Sequence, residues 1–328
     1  MTRISVVMPV FNGERFVDEA IRSVLAQEAD ELVIVDDAST DRTRERLDAW
    51  MQRDERVRVI HSERNEGIAA ALRKGIESSR GEYVALHDCD DVSLPGRFSH
   101  CAAALDASPD VALVAVRAEL IDADGYPLHI VQRATTPDAL AFLLHFNNVI
   151  GGSSRVMLRR GPLLAAGVGA TELSVDYDLW TRVLQHGKVM VLPFTGVRYR
   201  VHAGGVSATK AEAQRRDALT ISKRMLSSLL GRDLSDDELA SVYAIRHARP
   251  QDGRASTAER VLREAFTRFD GNRATVRRDF ARQWARAAVI HGGRGQVRDA
   301  LRALFYGVRW NALAVVTEVA RAIAFKIA

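Results

Sequence analysis

Between Ile4 and Val116, short β-branched apolar runs alternate with longer segments whose apolar residues recur every three or four positions. A short run that is apolar throughout reads as a strand buried on both faces. The three-or-four spacing reads as a helix with one buried stripe. The runs are Ile4–Met8, Glu31–Val35, Val57–Ile60, Glu82–Leu86 and Val111–Val116. Between the first two, Phe16, Ala20, Ile21, Val24 and Leu25 share one helical face. A second helix is predicted from a Thr40 or Asp41 cap to about Arg53, and an alanine-rich third over Glu66–Ser79, ended by Gly81. Strands joined through helices require crossover connections. The expected fold class is therefore α/β, a mostly parallel sheet flanked by helices.

In such sheets ligands bind beyond the carboxyl ends of the strands. Two acidic clusters fall on that edge: Asp36-Asp37 after the second strand and Asp88-Cys89-Asp90-Asp91 after the fourth. Acidic residues are ordinary in turns, but two clusters on one edge favour a shared site. Carboxylates suit hard cations such as Mg²⁺ or Mn²⁺. A metal held by one or two of them keeps positions for phosphate oxygens and neutralises charge on a diphosphate leaving group. No Gly-x-Gly-x-x-Gly follows the first strand and no Walker-type loop is present, which argues against dinucleotide and P-loop folds.

Residues 120–209 are less regular. Asp122-Ala123-Asp124-Gly125 reads as a hairpin turn. Val156–Leu158, Val189–Leu192 and Val197–Val201 read as short strands, Asp176–Gln185 as a helix and His202–Ser207 as a loop. From about residue 210 the pattern is helical with Arg on the polar faces, and breaks fall near Gly231, Pro250–Gly253, Asp270–Asn272 and Gly292-Gly293.

The charge balance divides in the same place. The 328 residues carry a formal net charge of +4, but residues 1–209 hold 23 basic and 29 acidic side chains, whereas 210–328 hold 23 and 13. Two regions are expected, 1–209 and a basic helical 210–328. With only five lysines, coding bias toward Arg is the competing explanation of the excess. The tail lacks the interleaved aromatics of a single-strand platform, so no nucleic-acid partner is expected. Tyr306 and Trp310 beside Arg residues suit an interfacial helix on an anionic membrane. A helix packed on its own domain or on a second subunit fits the same pattern. Cys89 and Cys101 cannot build a disulfide framework. With no signal-peptide pattern and no apolar run of about 20 residues, a cytoplasmic location is expected, at the inner membrane face if the tail binds it.

The order of these elements resembles a family 2 glycosyltransferase of the GT-A fold. Val7–Glu14 is similar to that family's opening strand and turn, and Val33–Asp41 to its second strand with the nucleotide-contacting acidic turn. Asn65–Leu72 followed by Gly81–Val84 resembles the next segment, and Asp88–Asp91 stands at the Asp-x-Asp metal motif. Val175–Trp180 is similar to the later acidic motif that holds a catalytic base, and Tyr199–Ser207 to the loop that closes the site. The resemblance covers residues 3–209 and leaves the tail out.

It implies an inverting transfer of a sugar from a nucleotide diphosphate donor, uridine-linked by expectation, to an acceptor hydroxyl. The acceptor would be a saccharide on a lipid carrier or a growing surface polysaccharide. Asp37 would hold the base of the donor, with Pro9, Phe11 and Glu14 lining that pocket. Asp90 would ligate Mn²⁺ or Mg²⁺, and Asp88 would contact the sugar nucleotide or share the metal. Asp176 would take the acceptor proton, and one base opposite the leaving group is all a direct displacement needs. Arg200 and His202 would stabilise the diphosphate, and His202 is also a candidate metal ligand. One departure is Val175, where the family often has Glu before the base; an acceptor-binding carboxylate is lost there. Two other classes were weighed. A sugar-phosphate nucleotidyltransferase would need a glycine- and lysine-rich triphosphate loop near residue 10, and a non-catalytic scaffold would not need Asp37, Asp88, Asp90 and Asp176 intact. Arg73 and Lys74 either reach the nucleotide or are solvated. Cys89 reads as a space-filler, Asp178 as a cap or support, and Trp180 as core.

Overall fold

The structure is a computed structural model and describes residues 3–131, 136–169, 171, 173–246, 255–294 and 296–327. It divides into two compact units, residues 1–137 with 148–218 and residues 138–147 with 219–328. This differs from a single cut after residue 209. The segment 138–147 groups with the helical part because its apolar residues Phe142 and Phe146 pack against Phe269 and Phe280.

The first unit opens with β1 (Ile4–Val10), α1 (Val17–Leu25), β2 (Glu31–Asp36), α2 (Thr43–Arg53), β3 (Val57–His61), α3 (Ile68–Ser78) and β4 (Tyr83–Leu86). It continues through β5 (Val92–Ser93), α4 (Arg97–Ala107), β6 (Val111–Ile121), β7 (Pro127–Val131) and α5 (Pro137–Leu143). Then come β8 (Val156–Arg159), α6 (Arg160–Ala166), α7 (Val175–Val183), β9 (Lys188–Arg200) and α8 (Val206–Thr209). Eight strands form one path, β3-β2-β1-β4-β8-β6-β9-β5, with β7 paired to β6. β1 to β4 are mutually parallel; β8 is antiparallel to both β4 and β6, so β6 and its parallel neighbour β9 run the same way as β1. The fold class is the expected one, with β5, β7 and β8 reversed. β1, β2 and β4 are buried on both faces, which is why their sequences are apolar without alternation.

Sequence pattern misjudged two places. The two short strands expected over 189–201 are one strand, β9. Its register against β6 jumps from Ala115↔Val191 to Arg117↔Thr195, so the stretch around Pro193 bulges out and the ladder resumes beyond it. The short β5 escaped notice because two residues carry no period. The 122–125 turn does close a hairpin, β6-β7.

The second unit consists of α5 from Asp138, α9 (Ala211–Leu230) from Leu219, α10 (Asp236–Arg246), α11 (Ala255–Thr267), α12 (Arg273–Gly293) and α13 (Val297–Ile327). The break expected over Pro250–Gly253 lies outside the described residues; those near Gly231, Asp270–Asn272 and Gly292-Gly293 coincide with helix ends. α13 bends at Asn311 (φ −166°, ψ 105°), whose Oδ1 accepts the Ala314 N–H at 2.9 Å and so caps the second half. Trp310 packs inside its own unit, one of the arrangements that its sequence pattern allowed. It is buried edge-on to Phe266 and Phe280 and donates to Glu259 at 2.8 Å, because an indole buried with its N–H satisfied is worth more inside. Tyr306 is half-buried against Trp284.

α3 sits close on the sheet because Gly75 has no side chain: a Cβ there would meet Val7 Cγ1 at 2.4 Å. Gly75→Val is expected to lower stability by about 1–3 kcal/mol, the cost of overpacking, read as a lower midpoint in urea unfolding with unchanged slope.

Candidate active site

The site is built where β1, β2, β4 and β9 end. After β1 and β2 the chain makes two turns that are tied to each other. Asn12 Oδ1 accepts the Thr40 N–H (2.8 Å), Ser39 Oγ accepts the Asn12 N–H (3.0 Å), and Thr43 Oγ1 accepts the Gly13 N–H (2.8 Å). Glu14 Oε2 accepts the Arg42 N–H at 2.9 Å while Asp41 Oδ2 accepts the Glu14 N–H at 3.1 Å. Glu14, expected to line the nucleotide pocket, is thus used to join the two turns. Asn12 (φ 52°) and Ala38 (φ 61°) are left-handed at the two strand ends. Asn tolerates this region; Ala38 pays about 1–2 kcal/mol for it, offset by the ties around it. Those ties are Asp37 N–H to the Val10 carbonyl (2.8 Å) and Ser39 N–H to Asp36 Oδ1 (3.0 Å).

Asp37 is buried, and its two carboxylate oxygens accept the backbone N–H groups of Glu66 (2.9 Å) and Gly67 (2.8 Å). It therefore fixes the turn into α3, and each oxygen keeps a second lone pair. Phe11, 48% exposed, and the half-buried Pro9 stand at the end of β1. Lys74 pairs with Glu66 and donates to Ser62, and the exposed Arg73 donates to the Val168 carbonyl.

The second cluster follows β4. Asp88 and Asp90 are half-buried and Asp91 is buried. Burial, then the charges of Asp90 and Asp176, push the Asp88 carboxyl up to about 7. The same causes, burial first and then Asp90 and Asp88, hold Asp91 well above the carboxylate range. Asp91 Oδ1 accepts the Arg200 N–H at 2.8 Å, while its Oδ2 is buried with no hydrogen-bond partner. His202 Nε2 lies 3.0 Å from Asp90 Oδ2. Cys89 is a space-filler, with its thiol held up by burial and the flanking carboxylates and pressed close to Gly13.

Asp176, in the first turn of α7, joins this group. Its Oδ2 accepts from Asn148 Nδ2 (2.9 Å) and its Oδ1 from the Tyr177 N–H (2.7 Å). Burial raises its carboxyl from 3.8 to about 6, and these two donors limit the rise. Asn148 is itself held by Gly151, whose N–H donates to Asn148 Oδ1 (2.9 Å) and whose carbonyl accepts from Trp180 Nε1 (3.0 Å). Trp180 is core, as expected, and Asp178 supports the helix through an ion pair with Arg182 (2.6 Å).

Arg200 requires a correction. Its side chain is 3% exposed and its donors are spent on protein: Nε on the Asp90 carbonyl (2.8 Å), Nη1 on the Asp122 and Ala123 carbonyls, and Nη2 on Glu19 (2.6 Å). A guanidinium with this set of acceptors braces the cluster instead of meeting a diphosphate. Four further residues contribute. Ser154 Oγ accepts the Asp88 N–H (2.8 Å), Asn148 orients Asp176, and Tyr199 stands among the four aspartates. Arg97 is buried beneath the cluster, donating to the Leu86 carbonyl (2.7 Å) and to His87 Nδ1 (3.1 Å), and desolvation lowers it to about 10, so it stays cationic. Tyr199 opens the segment similar to the closing loop, while Ser154, Asn148 and Arg97 belong to no motif and only the chain's path brings them in.

The donor set fits a divalent cation. Crowded carboxylates with raised affinity for protons, one orphaned oxygen and an imidazole are what such an ion would neutralise. Among the described residues no three His, Cys, Asp or Glu side chains form a ready cage, so the protein would supply one or two ligands and the rest would come from elsewhere.

Residues 5–164 match the family model described as Glycosyl transferase family 2. A putative teichuronic acid biosynthesis glycosyltransferase of Bacillus subtilis, TuaG, is 41% identical over 90 residues, which is 27% of this chain and 36% of that protein. The chain spans about a third of the length of the curated relatives it matches in this way. Among solved structures, S. aureus TarS 1-349 in complex with UDP-GlcNAc has a TM-score of 0.54 at 16% identity, covering 94% of this chain and 91% of that one. The mannosyltransferase PcManGT from Pyrobaculum calidifontis, in complex with GDP-Man and Mn²⁺, has a TM-score of 0.55 at 17% identity, covering 97% and 86%. The fold is that of GT-A glycosyltransferases, and residues 5–164, just under half of this chain, are similar to glycosyl transferase family 2.

Proposed function

We propose that this chain moves a sugar from a nucleotide diphosphate donor to an acceptor hydroxyl in one inverting displacement. The observation that carries this reading is the meeting of Asp88, Asp90, Asp176 and His202 at one sheet edge, although they lie as much as 114 residues apart in sequence. The donors bound by TarS and PcManGT support a nucleotide sugar, and we favour a uridine donor. Asp37, with a lone pair left on each oxygen, accepts an N–H of the base; Phe11 and Pro9 cover the ring. Glu14 acts at one remove, by holding the two turns together.

A divalent cation, Mn²⁺ or Mg²⁺, would be held by Asp90 with Asp88 or His202 and would supply charge neutralisation for the departing diphosphate. His202 also offers its imidazole N–H to that group. Asp176 accepts the proton of the attacking hydroxyl on its Oδ atoms, and a carboxyl raised to about 6 is a stronger base than an ordinary one yet is ionised at neutral pH. The name of TuaG supports a saccharide acceptor in surface polysaccharide synthesis, free or lipid-linked.

The test is a donor screen with Mn²⁺ across uridine and guanosine diphosphate sugars, with release of the nucleoside diphosphate as the readout. Release from none of them removes the proposal. Asp176→Asn is expected to lower transfer by about 10²–10⁴-fold, the usual worth of a general base, with donor affinity retained in calorimetry. Asp90→Ala is expected to abolish the Mn²⁺ dependence of donor binding; an unchanged Mn²⁺ titration would take Asp90 out of the metal site. The rate should rise with pH through about 6, because the raised carboxyl is protonated and inactive below that value. Asn148→Ala removes a donor that lowers it, so the acid limb of the profile should move upward.

A further inference from the structure

We propose that one face of α13 lies on an anionic lipid surface. Leu301, Phe305, Val308, Leu313 and Val316 are 50% to 77% exposed. Leu301, Phe305 and Val308 fall on one helical stripe of the half before Asn311; Leu313 and Val316 are on the half after it, which folds back so that a Cβ on Gly307 would meet Val315 Cγ2 at 2.9 Å. The opposite face is accounted for: Ala303, Trp310 and Ala314 are buried, and Gly307 lets α13 approach α12, since a Cβ there would meet Trp284 Cβ at 3.1 Å. Single exposed apolar residues are ordinary, but three large ones on one stripe of one helix form a patch that needs a partner.

Charge decides which partner. Among the described side chains of α13, the exposed charged ones are Arg298, Arg302, Arg309 and Arg321. The two acids are withdrawn: Glu318 is buried and paired with Arg286 (2.7 Å), and Asp299 is half-buried 3.9 Å from Arg302. Helical spacing puts Arg298, Arg302 and Arg309 along one flank of the stripe. The Arg309 guanidinium lies 5.5 Å from the Phe305 ring, so cationic and apolar surface adjoin on this face. An apolar stripe edged only by Arg matches the boundary between acyl chains and anionic headgroups. A second copy of the chain would bring the same arginines and no exposed acid from this helix, which is repulsive. No described helix is long and apolar enough to cross a membrane, so the contact is one of lying on the surface. This contact differs from the one expected from sequence, which rested on Trp310 and Tyr306.

The inference needs nothing of the transfer chemistry, and its test reads binding alone. The full chain is sedimented with vesicles of pure phosphatidylglycerol and of pure phosphatidylcholine. Wild type is expected to sediment with the first and not the second. The pair Leu301→Ser with Phe305→Ser is expected to bind at least about tenfold more weakly. The pair Arg302→Gln with Arg309→Gln should lose about fivefold for each Arg removed. All four positions are exposed, and unchanged thermal melts would show that both variants fold. Equal binding by the three proteins, equal binding to both vesicles, or no sedimentation with phosphatidylglycerol overturns the proposal. A wild-type dimer that the serine pair dissociates, seen by light scattering, would then assign the stripe to a second copy.

Discussion

The first unit is organised around negative charge crowded at one sheet edge. Asp88, Asp90, Asp91 and Asp176 meet in a largely desolvated place; burial first, and for Asp88 and Asp91 the neighbouring carboxylates as well, holds the carboxyls of Asp88, Asp91 and Asp176 above their ordinary range. Two buried arginines make the crowding tolerable. Arg97 lies under the cluster and Arg200 beside it, each with its N–H groups aimed at carbonyls or a carboxylate. A folded chain that keeps such a cluster stores affinity for a cation and for a proton. Both are what the proposed displacement would need.

The sheet order explains how the groups meet. β4 delivers the Asp88 cluster. β8 is inserted antiparallel beside it, and Ser154, just before β8, reaches the Asp88 N–H. β9 runs parallel to β6 for most of its length and ends by placing Arg200 and His202 against Asp91 and Asp90. The bulge around Pro193 is what lets one strand serve both ends. On the other side of β1, the tied turns and the left-handed Ala38 hold the strand ends where a base would lie.

The second unit follows different physics. Its core is a set of aromatic rings, Phe142, Phe266, Phe280 and Trp310, with the indole N–H satisfied by a carboxylate. The basic excess of residues 210–328 is partly absorbed inside it: Arg232 bridges Glu238 and Glu264, and Arg286 reaches Glu318. The remainder is on the surface, and on α13 it borders the apolar stripe.

Sequence alone determined the parts of this protein that rest on local period and local chemistry. Runs such as Ile4–Met8 and Glu31–Val35 are apolar throughout because their strands are covered on both faces, so fold class was legible. Asp37, Asp88, Asp90 and His202 sit beside strand ends in chain order, so their nearness to a site was legible too. Sequence could not say which polar groups are consumed by others. Arg200 has the chemistry for a diphosphate, and Trp310 fits a membrane surface or a packed core alike, yet Arg200 meets five acceptor atoms of the protein and Trp310 meets Glu259. Arg97, Asn148 and Ser154 carry no period or motif, and their importance arises only when residues far apart in the chain are packed together. A hydrogen-bond partner at long sequence separation is a property of the fold, and tertiary structure alone decides whether a charged side chain faces a ligand or the protein itself.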